Sequence, residues 1–140
     1  MKKIVLKNVV DSKGIYFFCA LIWASACNVA AATASSDTAT RCGWFDNPSP
    51  SNVTLVDKDG EWTIGMQGGH QAKGPWPAFP KARWVATGTG SAGYGCACLK
   101  FSARAGTQEV TQIFSARSLP LETCRRDKAL AGTEPENPLK

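Results

Sequence analysis

The stretch Tyr94-Gly95-Cys96-Ala97-Cys98-Leu99-Lys100 decides the fold. Small and apolar residues continue through Phe101 and Ala103 without helical spacing, which predicts a β-strand. Strand side chains alternate between faces, so Cys96 and Cys98 point the same way, roughly 6–7 Å apart. A disulfide needs Cβ atoms directed at one another. Two parallel-pointing neighbours meet that requirement poorly, so each cysteine calls for a separate partner.

The chain outside that strand limits the choice of partners. Lys2, Lys3, Lys7 and Lys13 precede an apolar run over residues 15–24, and small residues follow over 25–36. Basic, then apolar, then small is the order of a secretory signal peptide. The apolar run is shorter than the about 20 residues a spanning helix needs. Two exits from the signal compete. Ala32-Thr33-Ala34 fits cleavage before Ser35, whereas Ala24-Ser25-Ala26-Cys27 loosely matches a lipobox that would make Cys27 the lipidated first residue. Ordinary cleavage is preferred, because a bulky aliphatic residue is usual where Ala24 stands.

Cys19 leaves with the signal, and Cys27 leaves or is acylated, so Cys42, Cys96, Cys98 and Cys124 remain of the six cysteines. An even set in an exported chain implies disulfides. The expected organisation is a signal over 1–34, a linker over 35–40, a stapled β domain over 41–128 and a flexible tail over 129–140. Residues 35–140 suffice for one domain. Four of the 16 basic and one of the 11 acidic residues precede Ser35, leaving 12 against 10. With these charges scattered, apart from Arg125-Arg126, nothing points to nucleic acid.

Along the chain, residues 53–56 and 61–66 read as a hairpin around Asp57-Lys58-Asp59-Gly60. The acids there imitate the start of a calcium loop, but Gly68 stands where the twelfth, liganding glutamate belongs. A turn is the better reading. Residues 83–87 are expected to return as a strand, and 94–103 to pair with 109–117 through a turn near Gly106. In that second strand Val110, Ile113 and Phe114 do not keep one phase, which suggests that both faces of the hairpin are covered. The fold class is all-β, or β with minor α: a small antiparallel sheet or barrel-like domain of hairpins.

The hairpin also orders the cysteines. The end of its second strand returns beside Cys96, and Cys124 follows shortly after the bend at Pro120, so Cys96 pairs with Cys124. Cys42 is left for Cys98, with the Trp44 segment laid across the cysteine face of the sheet.

Arg41-Cys42-Gly43-Trp44-Phe45, Asp59-Gly60-Glu61-Trp62-Thr63-Ile64, Gln67-Gly68-Gly69-His70-Gln71-Ala72 and Tyr94-Gly95-Cys96-Ala97-Cys98-Leu99 together resemble DUF4087, small exported bacterial proteins of unknown function. The resemblance implies export and a single cysteine-bearing domain over residues 41–128. It implies no catalytic residue.

Residues 67–80 hold three prolines, three glycines, the one histidine and two large aromatics. Long ordered loops in compact domains are often functional. Trp76, Phe79 and Trp84 beside Gln67, His70 and Gln71 make a candidate ligand site, because flat apolar faces next to amides suit a sugar or a peptide. The competing reading puts these aromatics over a small core. His70 as a general base has no evident companion. A redox pair at Cys96 and Cys98, or a metal site with Cys42, Cys124 and His70, would need reduced thiolates, against the oxidising compartment. The sequence therefore favours a non-enzymatic binding or inhibitor-type module of the envelope, its partner an envelope protein or a glycan, with no metal or cofactor. The alternative is a small hydrolase or redox enzyme using His70 or the Cys96/Cys98 pair.

Overall fold

A computed structural model describes residues 37–140. The signal segment and Cys27 lie outside the described residues. Six antiparallel strands form one sheet: β1 (Thr38–Ser49), β2 (Asn52–Asp57), β3 (Gly60–Gly65), β4 (Val85–Ala86), β5 (Gly93–Ala103) and β6 (Val110–Leu119). The order is β3-β2-β1-β5-β4, with β6 sharing the outer side of β5 with β4. β5 is thus the central strand, paired to β1 from Thr38↔Ser102 to Asn47↔Gly93.

Alternation along β5 builds two cores. Ala97, Leu99 and Phe101 turn to one face, where Phe45, Leu55, Ile64 and Ile113 join them. Tyr94 and Cys96 turn to the other, with Trp44, Cys124 and Leu130. A short helix α1 (Leu121–Arg126) and a 3-10 turn (Lys128–Leu130) bring Cys124 and Leu130 over this second face.

Both disulfides form as the hairpin argument requires: Cys42–Cys98 and Cys96–Cys124. The route differs for the first. β1 does not lie across the cysteine face. It is the in-sheet neighbour of β5, and Cys42 stands directly opposite Cys98 in the ladder. What covers that face is the C-terminal segment instead.

Four further expectations are corrected. β1 starts at Thr38, inside the presumed linker, because ten consecutive pairings with β5 draw Thr38-Ala39-Thr40 into the ladder. The broken phase of β6 comes from two bulges: Phe101↔Ile113 follows Lys100↔Ser115, leaving Phe114 unpaired and exposed, and Ala103↔Val110 follows Ser102↔Gln112. An extra residue shifts the alternation by one, so Val110 and Ile113 both reach the same core. The return strand is only Val85–Ala86, preceded by a 3-10 turn at Lys81–Arg83. The segment read as a flexible tail is docked at its start. Leu130 is 4 % exposed, and Glu134 accepts hydrogen bonds from Tyr94 Oη and Arg125.

The sheet is open in strand order, yet its outer strands meet: the Thr63 amide of β3 donates to the Gln108 carbonyl just before β6 (2.8 Å), and one further segment bridges the two. The Ala72 amide donates to the Ile64 carbonyl (2.8 Å), while Lys73 exchanges bonds with Thr111 (3.1 Å) and Ile113 (2.7 Å). The long loop after β3 is thus anchored at residues 70–73 before it runs on toward β4.

Candidate functional site

β1 ends with Phe45 and Asn47 on the inner face, and β5 begins there with two glycines. Their lack of side chains has a specific use. A Cβ on Gly95 would lie 2.5 Å from Phe79 Cε1, and one on Gly93 would lie 2.4 Å from Trp84 Nε1. Those two rings therefore sit directly on the backbone of β5. They meet in a tilted contact with centroids 4.8 Å apart, and Phe79 lies 5.4 Å from Phe45. Trp76 meets Phe45 edge-on at 6.4 Å and fixes its indole by donating to the Ala72 carbonyl (3.2 Å).

The result is an open groove of about 430 Å³ lined by Phe45, Asn47, Trp76, Phe79, Lys81 and Trp84, with Pro77 and Ser91 at its margin. Phe79 and Trp84 pack against the core, so the floor is fixed. Trp76 is 36 % exposed and forms an accessible wall. Its size falls within that of small-ligand sites, about 300–1,000 Å³.

The polar side chains of the groove are few. Asn47 is 7 % exposed and gives its Nδ2 to the Ser91 carbonyl (2.9 Å) and hydroxyl (3.2 Å). Its Oδ1 is buried and has no partner. Lys81 is exposed and has no ion-pair partner among the described residues. No carboxylate lines the groove.

The structure divides the six residues singled out in the sequence. Trp76, Phe79 and Trp84 come together around the groove, whereas Gln67, His70 and Gln71 do not line it. His70 Nε2 lies 2.6 Å from the Val110 carbonyl, with Nδ1 3.8 Å from Glu109, which pairs in turn with Arg104. Gln71 donates to the carbonyls of Met66 and Ser51, and the Gln67 amide to Asn52. These contacts secure the loop on the sheet. Cys96 and Cys98 are buried and bonded to different partners.

Phe45, Asn47, Lys81 and Ser91 were not singled out. Only Phe45 had a signal: it follows Trp44 in a strand, so it must face opposite to it. Asn47 and Ser91 are 44 residues apart, and no local pattern joins them.

A second cluster lies at the β2–β3 turn. Asp57, its side chain 4 % exposed, pairs with Arg41 (2.9 Å) and accepts from Trp62 Nε1 (3.1 Å) and the Asp59 amide (2.8 Å). Arg41 also lies over the Trp62 ring at 4.1 Å. Asp57 thus ties the turn, through the Asp59 amide, to Arg41 of β1 and Trp62 of β3, which fits the turn reading of this acidic sequence.

No curated protein and no solved structure matches this chain. The family model described as "Protein of unknown function (DUF4087)" matches residues 36–131, from just before β1 through the 3-10 turn that carries Leu130, and the chain belongs to that family.

Proposed function

We propose that this protein is an exported binding module that holds its ligand in the aromatic groove between the end of β1 and the loop before β4. The observation that carries this reading is the groove itself. Phe79 and Trp84 are seated on the glycines of β5, and Trp76 is left accessible above Phe45. Large aromatic surface held rigid before binding loses little entropy on association. Export is supported by the basic–apolar–small order of residues 1–36 and by two disulfides, which persist in oxidising compartments. Binding is favoured over catalysis because His70 and the four cysteines already have structural partners.

The test is ligand retention by the disulfide-intact protein and by Trp76→Ala, using peptidoglycan fragments and envelope extract. A ligand or partner retained by the native protein and lost by Trp76→Ala supports the proposal. Retention of nothing, or retention indifferent to Trp76→Ala, sinks it.

A further inference from the structure

Thiol–disulfide exchange places a geometric demand on its target. The attacking sulfur must reach one disulfide sulfur from solvent, along the S–S axis and on the side away from the sulfur that leaves. Cys96 and Cys124 are enclosed in the second core with Trp44 and Leu130, at 0 % and 2 % exposure. Cys98 is 4 % exposed on the central strand. Cys42 is exposed, and it also lines an open cleft of about 410 Å³.

The walls of that cleft include Thr40 and Arg41 of β1, Lys58 and Asp59 of the β2–β3 turn, and Asp127 beyond α1. β1 lies between β2 and β5 in the sheet, and no residue of β5 lines the cleft. The cleft therefore opens on the flank of Cys42 turned away from Cys98, where an in-line nucleophile must stand. That flank is free because the β1–β2 ladder ends at Trp44↔Val56, two residues short of Cys42. The carboxylates of Asp57 and Asp59 are offset by Arg41 and Lys58, and Asp127 accepts from the Ala129 amide.

From this we infer that Cys42 is an S-thiolation site, at which a low-molecular-weight thiol enters the cleft and opens the Cys42–Cys98 bond. The thiolate of the small molecule forms a new S–S bond to Cys42 Sγ. The Cys42–Cys98 bond breaks, and its electron pair leaves on Cys98 Sγ, 3.8 Å from Arg117 Nη2. One disulfide and one thiolate become one mixed disulfide and one protein thiolate, and nothing else is consumed. In the reverse step Cys98 attacks Cys42 Sγ and expels the small thiolate. The cleft is a recess within the size range of small-ligand sites, about 300–1,000 Å³, which favours a small thiol over a cysteine on a protein surface.

The fold keeps the exchange reversible. Cys42↔Cys98 is one of ten consecutive pairings between β1 and β5, so the ladder holds the two residues opposite each other without the covalent link. Cys96–Cys124 stays closed and keeps the C-terminal segment in place. The site is separate from the aromatic groove, which takes from β1 only Phe45 and Asn47, and it does not rest on the groove reading.

The experiment incubates the disulfide-intact protein with increasing reduced glutathione. The mixture is quenched in acid, alkylated with N-ethylmaleimide in denaturant and digested without reduction for mass spectrometry. Glutathione is expected on Cys42 and maleimide on Cys98, with Cys96–Cys124 intact. A second measurement applies oxidised glutathione to Cys98→Ser and Cys42→Ser. The thiol left at Cys42 should be modified at least about ten-fold faster than the one left at Cys98, because access limits exchange.

Glutathione on Cys98 with maleimide on Cys42 overturns the assignment. So do equal rates in the two variants. The absence of any adduct at every glutathione concentration that leaves Cys96–Cys124 closed overturns it as well.

Discussion

Cys42 and Cys98 face each other across the β1–β5 ladder, yet Cys42 is exposed and Cys98 only 4 % so. Cys98 Sγ also lies 3.8 Å from the Arg117 guanidinium. An external thiolate can therefore attack Cys42, and Cys98 leaves as a thiolate beside a positive charge. A second thiol of the reductant then displaces Cys42 as the second free thiolate. Cys96–Cys124 has both residues buried. Graded reduction with a dithiol followed by alkylation should label Cys42 and Cys98 first, and Arg117→Gln should slow that step. Simultaneous labelling of all four cysteines would refute the order.

Asp57 should be the most sensitive polar position in the sheet. Asp57→Ala removes the acceptor of Trp62 Nε1 and of the Asp59 amide at an almost fully enclosed position, and leaves Arg41 paired with Asp59 alone. The expected loss is about 1–3 kcal/mol, the cost of leaving buried donors without their acceptor. Urea denaturation measures it, and a loss under about 0.5 kcal/mol, the size of an ordinary surface substitution, would contradict the argument.

The C-terminal segment should contribute measurably to stability. Leu130→Ala removes a buried side chain from the Trp44–Tyr94 core, at an expected cost of about 2–4 kcal/mol. A chain cut after residue 128 should lose at least as much. Unchanged thermal unfolding in either variant would mean that the segment is not docked in solution.

Glu134 makes part of that docking depend on pH. Hydrogen bonds from Arg125 hold its carboxyl below the ordinary glutamate range, Tyr94 Oη adds to this, and partial burial opposes it. A depressed native pKa means that the contribution is complete above the unfolded pKa, about 4.3, and is lost as pH falls through the lower native value. The stability difference between the native chain and Glu134→Gln should therefore be constant above about pH 5.5 and shrink on acidification. A difference that grows toward low pH has the wrong sign.

Asp46 behaves in the opposite way. Burial, and secondarily Glu61, raises its pKa, despite an opposing hydrogen bond from the Asn47 amide. Between the unfolded pKa and the raised native one, the native state binds more protons, so stability falls as pH rises through that window. Asp46→Asn should raise the melting temperature at pH 7 and lose that advantage below about pH 4. A variant that melts lower at neutral pH would show that the carboxylate serves a role beyond these contacts.

How much of this was legible depended on the range over which each signal acts. Strand alternation is local, so the parting of Cys96 and Cys98 to different partners followed from two residues, and the β5–β6 hairpin extended it to Cys124. The linker became strand because of a partner some 60 residues away, a distance no local propensity reports. The bulge at Phe114 was visible as a broken phase, but the same break also fits a sheet covered on both faces. At the groove, the aromatic residues were conspicuous by type. Asn47 was not, because its importance lies in which of its two amide atoms has been used.

The segment over residues 70–74 has a consequence for life at high concentration. Exposed strand rims invite a second molecule to continue the ladder, which is how sheet proteins polymerise. Here the rims of β3 and β6 are occupied where that segment bonds to Ile64, Thr111 and Ile113. Gly74 then passes so close that a Cβ would lie 2.0 Å from the Ile113 carbonyl oxygen, and Arg83 takes the Ser118 carbonyl further along β6. β4 has only two residues to offer a neighbour. The loop that frames the groove therefore also guards the molecule against its own copies, and changes within it put solubility at stake as well as binding.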